Sequence, residues 1–248
     1  MKLLFLDIEC APNIAHVWGL WKQNIGLNQI IDSGYVMSWA AKWLGEEGVR
    51  FASIHHNGKT QMLEQIHALL DEADAVIHYN GTKFDIPTLN KEFVLAGLPP
   101  PAPFKEIDLL KTARAKFKFP SNKLDYIAKA LGLEGKVKTE GHELWIKCMN
   151  GEPEAWQSMM TYNIGDVTLL EDVYNILLPW VKNHPNWGLY QEDGQVCPHC
   201  GSTHYHRRGY QYTASCKYQR YQCNECHTWF RGTKNVGHKI SEKLSNVG

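Results

Sequence analysis

The chain has 248 residues, 44% hydrophobic and 21% charged, with 26 Lys and Arg against 26 Asp and Glu. This composition supports a buried core and excludes a wholly disordered chain, a collagen-like repeat and a coiled coil. No run of about 18 apolar residues occurs, so no transmembrane helix is expected. The opening MKLLFLDIEC reaches Asp7 before a signal-peptide core could form, so a cytoplasmic location is expected. The charge is unevenly spread: residues 1–194 hold 18 Lys and Arg against 24 acids, and residues 195–248 hold 8 against 2. An acidic body with a basic end piece suits a nucleic-acid enzyme with a separate docking module, although solvated surfaces also vary by chance.

In chain order, Lys2–Ile8 is a short apolar run closed by acids and reads as a buried strand. Two more strands are expected at 35–44 and 50–56, around the acidic turn Gly45–Gly48. Residues 61–70 place apolar side chains at 62, 63, 66, 69 and 70, which is helical spacing. A strand at 75–79 precedes a helix at 86–98, stopped by Gly97 and the run Pro99–Pro101. Ser121 is placed as the cap of a helix through Leu131, and Pro153 opens the longest helix, to about Val181. Strands alternating with helices give an α/β or α+β layered sheet. Residues 183–194 carry turn residues and acids, and the domain boundary is set there, with domains at 1–190 and 195–232 and a tail at 233–248.

Asp7 and Glu9 lie two apart at the end of the first strand, so both carboxylates leave the same face of the sheet. Like charges beside an apolar strand repel and lose hydration, and a divalent cation such as Mg²⁺ or Mn²⁺ relieves both costs. Alone, such a pair is more often a strand running out into solvent. Asp85 follows the strand at a strand-to-helix turn, where α/β proteins place their sites. Asp166 lies four residues after Tyr162 on the long helix, on a face otherwise apolar with Met159, Val167 and Leu170. Taken singly, Asp85 would be a helix cap and Asp166 a surface acid.

Phe5-Leu6-Asp7-Ile8-Glu9, Tyr79-Asn80-Gly81-Thr82-Lys83-Phe84-Asp85 and Tyr162-Asn163-Ile164-Gly165-Asp166 resemble, in order and spacing, the three motifs of the DEDD 3′–5′ exonucleases. The resemblance is nearest to the proofreading domains of family B DNA polymerases and their stand-alone bacterial and phage relatives. Ser121-Asn122-Lys123-Leu124-Asp125 and Leu131-Gly132-Leu133 are similar to the segment between the second and third motifs there. Thr161 and Tyr162 place the chain with the tyrosine branch, and Cys10 stands where relatives usually carry Thr. The resemblance covers roughly residues 1–180. It implies an RNase H-like exonuclease fold, a mixed sheet flanked by helices, in a bacterial or phage-infected cell. It also implies two-metal phosphodiester hydrolysis. Asp7, Glu9 and Asp166 would hold one ion, Asp7 and Asp85 the second, and Tyr162 would position or deprotonate the attacking water. Positioning is favoured because a free phenol titrates at about 10. Asn80 and Phe84 would touch the terminal nucleotide by hydrogen bonding and stacking.

Cys197, Cys200, Cys223 and Cys226 form two C-x-x-C pairs, while Cys10, Cys148 and Cys216 are scattered. With no export signal, this argues for reduced thiols and a metal site. Two such turns can close an S₄ cage around one structural Zn²⁺. The stretch between them alternates as a β-ribbon would, so 195–232 is similar to a zinc ribbon. Arg207, Arg208, Lys217, Arg220 and Arg231 beside tyrosines suit nucleic acid, although docking of a replication or repair protein uses the same surface. The basic stretch from Lys111 to Lys118 is either substrate path or a solvated helix face. The expectation is a 3′–5′ exonuclease acting on DNA, favouring single-stranded 3′ ends, with no membrane partner. The alternatives are an RNA-directed or structure-specific nuclease on the same scaffold, or a non-catalytic nucleic-acid adaptor.

Overall fold

The apolar N-terminal run forms strand β1, Leu3–Cys10, in a computed structural model that describes residues 1–192 and 194–237. Leu3 to Leu6 are fully buried, so β1 needs neighbours on both edges and cover on both faces. It pairs antiparallel with β4 (Val36–Trp43) and parallel with β6 (Ala75–His78). The antiparallel β5 (Arg50–Ser53) and the parallel β7 (Lys105–Asp108) extend the edges, giving a mixed sheet in the order β5-β4-β1-β6-β7. A small hairpin, β2 (Ile14–Ala15) and β3 (Ile30–Asp32), rises between β1 and β4.

Seven helices follow among the described residues: α1 (Ile54–Asn57), α2 (Lys59–Glu72), α3 (Asp85–Leu95), α4 (Leu109–Lys116), α5 (Leu124–Ala130), α6 (His142–Met149) and α7 (Pro153–Leu177). Leu4, Leu6 and Ile8 pack with Met62, Leu63 and Ile66 of α2 and Leu89 and Phe93 of α3. Each such side chain, fully buried, contributes about 1.5–3 kcal/mol relative to exposure. The opposite face is covered by Leu144 and Cys148 of α6 and Ala155, Trp156 and Met159 of α7. Helices therefore flank the mixed sheet, as the RNase H-like expectation requires.

The buried residues of α2 are Met62, Leu63, Ile66, Leu69 and Leu70, the five positions its spacing marks. The second edge strand stops earlier than expected. Ser53 caps α1 by accepting from the His56 amide (3.2 Å), so the chain turns helical where the sequence continued a strand. Ser121 is not a helix cap: α5 starts at Leu124, after Lys123, and the Ser121 hydroxyl accepts from Lys123 N (3.4 Å) in the turn before it. The long helix ends at Leu177 rather than Val181, because Pro179 lacks an amide and forces a 3₁₀ turn over Leu178–Trp180.

The chain divides into two compact units, Lys2–Val173 and a second from Tyr174 onward, so this division falls upstream of the sequence-based boundary. Within the second unit, the Tyr174 hydroxyl meets His184 Nε2 (2.7 Å), and the rings of His184 and His199 stack 5.0 Å apart. Trp187 N donates to Pro198 O (3.0 Å). The segment expected as a linker is thus packed against the first cysteine turn. Beyond it, β8 (Tyr205–Tyr212), β9 (Lys217–Cys223) and β10 (Trp229–Asn235) form an antiparallel sheet in the order β10-β9-β8. Residues 238–248, most of the expected tail, lie outside the described residues.

Candidate active site and cysteine centre

The site is built on the carboxyl end of β1. Asp7 and Glu9 point to the face covered by α7, where Asp166 meets them. One carboxylate oxygen from each of the three lies within 4.8 Å of the others. Asp85, the first residue of α3, is buried outside this trio and accepts from the amide of Ile8 (3.2 Å). The strand that carries Asp7 and Glu9 is thereby tied to the helix that carries Asp85.

Crowding of acids shows in their protonation. Burial, then the charges of Glu9, Asp85 and Asp166, pushes Asp7 well above the usual carboxylate range. Burial, with Asp166 behind it, lifts Glu9 to about 8, although Trp145 donates a hydrogen bond to it. Asp85 rises to about 6 through burial, and Asp166 is raised by the same cause against the pull of Lys136. Burial and the Asp166 charge hold the Tyr162 phenol at about 12. The phenol is therefore protonated at neutral pH in the metal-free site.

The turn between β6 and α3 is fixed by close packing. His78 is fully buried; its Nδ1 accepts from Gly81 N (3.1 Å), which leaves Nε2 to donate to Glu106 (3.2 Å). A Cβ on Gly81 would stand 2.4 Å from the His78 ring, so only glycine fits. Asn80 takes a positive φ of 71° and donates its amide to Asp108 (3.0 Å), which also caps α4. Phe84 is 47% exposed rather than a core aromatic.

The model of the RNase H superfamily matches residues 26–178, well over half of the chain. The chain belongs to the RNase H superfamily. A family B DNA polymerase from the hyperthermophilic archaeon Pyrobaculum calidifontis shares the fold, with a TM-score of 0.54 and 17% identity. The match covers 72% of this chain and 24% of the polymerase, so the chain spans about a quarter of that protein's length. No curated protein matches the chain. Membership of this superfamily supports a nuclease, with nucleic acid as substrate. Among the described residues, no helix is long and apolar enough to cross a membrane.

This RNase H-like site contains two side chains that the sequence motifs leave without a role. Asn163, fully buried on α7, donates to Asp7 Oδ2 (2.7 Å) and to Asp7 O (3.3 Å), and accepts from Ser38 (3.1 Å). Its place, three residues before Asp166 on the same apolar face, was the available signal. Lys136 comes from the loop before α6 and bonds Asp166 Oδ2 (2.5 Å) and the Tyr162 hydroxyl (3.2 Å). Burial opposes its charge, but Asp166 more than compensates and holds the ammonium above its ordinary range. The backbone of Lys136 is pinned by Asp125 (2.9 Å), and Gly165 lets the loop approach, since a Cβ there would meet Val137 at 2.8 Å. No sequence periodicity encodes such an approach of a loop to a helix.

The residues fit a hard divalent cation. Asp166 Oδ1 is buried without a hydrogen-bond partner, although its sister oxygen holds Lys136. A buried carboxylate oxygen left bare beside two more carboxylates is what a metal would satisfy. In the second unit, the four sulfurs of Cys197, Cys200, Cys223 and Cys226 lie within 4.8 Å of one another. The Cys197–Cys226 and Cys200–Cys223 separations are both 3.6 Å. A tetrahedron with Zn–S bonds of about 2.3 Å has edges of about 3.8 Å, so the set fits a small zinc module. Hydrogen bonding from Cys197 holds Cys226 near 4, while Cys197 itself is pushed far up. His199 Nδ1 faces Leu178 O and the Thr228 hydroxyl (both 3.2 Å), which leaves it outside the sulfur set, as is Cys216.

Proposed function

We propose that the protein is a metal-dependent 3′–5′ exonuclease of the tyrosine branch, acting on DNA with preference for single-stranded 3′ ends. The observation that carries this reading is the convergence of Asp7, Glu9 and Asp166 with a bare, buried Asp166 oxygen. The motif resemblance supplies polarity and substrate, and the fold likeness to a DNA polymerase agrees with it. Asp7, Glu9 and Asp166 would hold one Mg²⁺ or Mn²⁺, and Asp7 with Asp85 a second. Bound there, two divalent ions supply Lewis acidity toward the attacking water and the leaving 3′-oxygen.

The chain's own groups set the stage for that chemistry. Asn163 fixes the rotamer of Asp7, and the Ile8 amide fixes Asp85. Tyr162, protonated at neutral pH, orients the water by donating to or accepting from it, and Lys136 holds the phenol in place. Asn80 and the exposed Phe84 flank the terminal nucleotide by hydrogen bonding and stacking. The nuclease domain is assigned to 1–190 and the ribbon to 195–232, with one structural Zn²⁺ on its four cysteines.

In the ribbon, register sorts the basic residues onto two faces. Arg220 lies opposite Arg231, and both, with Arg208, flank Trp229 and Tyr218. Tyr205, Tyr221 and Phe230 cluster among themselves. The arginine face suits phosphates and bases, and the ribbon is assigned to nucleic-acid binding. The test is digestion of 3′- and 5′-end-labelled DNA and RNA, single- and double-stranded, with Mg²⁺ or chelator. Laddering from the 3′ end of single-stranded DNA, dependent on Mg²⁺, is expected. Endonucleolytic products, or equal turnover in chelator, would overturn the reading.

A further inference from the structure

The hairpin of β2 and β3 bears the most exposed apolar side chains of the nuclease unit. Trp18 is 97% and Trp21 84% exposed, with Leu20 and Leu27 equally open beside them. Water makes such exposure costly, and a soluble surface that keeps two bare indoles on one loop marks a binding site. The loop is nonetheless built. Ile14 pairs with Asp32 and Ala15 with Ile30, His16 and Gln29 exchange two hydrogen bonds (2.9 and 3.0 Å), and Gln29 accepts from Gly26 N (2.8 Å).

Its root joins two of the three elements that carry the site's acids, β1 and α3. Ala11, one residue beyond the end of β1, donates to Tyr35 O (2.9 Å), and Lys91 of α3 reaches Gly34 O (2.6 Å). The hairpin therefore rises from the end of the sheet that presents Asp7, Glu9 and Asp85. Charge points to the occupant. Residues 10–31 contain no acid and one cation, Lys22, within a body that is otherwise rich in acids. An acid-free stretch with two free aromatic faces accepts a polyanion whose bases stack. We propose that this hairpin is a stacking platform for unpaired bases of the nucleic acid entering the nuclease site; it rests on the nuclease reading above.

The test is binding of a fluorescein-labelled single-stranded 12-mer, read by anisotropy, in the Asp7→Ala background so that no turnover intrudes. Two double variants are compared, Trp18→Leu with Trp21→Leu, and Trp18→Phe with Trp21→Phe. Leucine keeps the apolar surface but removes the ring, while phenylalanine keeps a ring. Stacking predicts a loss on the order of tenfold or more per ring for the leucine pair. The phenylalanine pair should stay within a few-fold of the parent. Equal affinities for all three proteins would overturn the platform. So would equal loss in both variants, or a parent that does not bind the 12-mer. A dimer in sedimentation that only the leucine pair breaks, with binding unchanged, would assign the hairpin to a second copy instead. Because binding is read without catalysis, failure of the exonuclease reading would appear separately, as wild-type protein that leaves the oligonucleotide intact.

Discussion

At the scale of single residues, the site sets carboxylate repulsion against the demand for a metal. Asp7→Ala should abolish hydrolysis while leaving the fold and oligonucleotide binding largely intact, because it removes a ligand and relieves crowding at once. Wild-type turnover in that variant would refute the site. Tyr162→Phe should be milder than Asp166→Ala, since the phenol orients water while the carboxylate holds the ion; equal, complete losses in steady-state rate would contradict this. Asn163→Ala leaves Asp7 and Ser38 without their partner in a buried setting. It should cost about 1–3 kcal/mol of stability, read by urea unfolding, and lower the rate as well.

At the scale of elements, the four raised carboxyls tie stability to pH. Their folded values lie above the unfolded ones, so they stabilise the metal-free fold fully below about pH 4 and lose that contribution as pH rises. For Asp85 the loss runs through about 6, and for Glu9 through about 8. Chelated protein should therefore gain Tm as pH falls from 8.5 to 6. Mg²⁺ should raise Tm more at the upper end, where fewer protons must leave. A flat melting profile in chelator would mean that the acids are not crowded as the structure has them. The central strands, α2, α3 and α7 were legible because their apolar periods are long and their burial one-sided. β7, α4 and α6 were not, because each is short and carries few buried residues: Ile107 and Asp108 in β7, Leu144 and Cys148 in α6. Asp7, Glu9, Asp85 and Asp166 are singled out through the resemblance of their three motifs, since Asp85 and Asp166 taken singly read as a helix cap and a surface acid. Lys136 could not be found in this way, because its position depends on Asp125 and on the room left by Gly165.

At the scale of the whole molecule, the basic end piece should serve the acidic body as a grip on the strand. All four carboxylates and Tyr162 lie before residue 195, so a chain ending at Gly194 should still fold and cleave. It should melt earlier than the full chain, because His184 and Trp187 lose the ring of His199 and the carbonyl of Pro198. It should bind single-stranded DNA more weakly, since 8 Lys and Arg leave with residues 195–248. Each phosphate no longer neutralised makes the slope of log K against log salt shallower by about 0.7 for a single strand. Arg208, Arg220 and Arg231 share one face, so the slope should flatten by about 2 if that face alone meets the strand. Stripping zinc from the full chain and restoring Mg²⁺ should reproduce the weaker binding, because too few apolar residues lie in the ribbon to fold it without the S₄ site. The comparison is a salt series with Asp7→Ala protein, full-length and truncated. Unchanged affinity and slope would turn the ribbon from a nucleic-acid grip into a protein dock or a brace. A truncated protein that does not fold would place the nuclease boundary beyond Gly194 and make the ribbon part of its core.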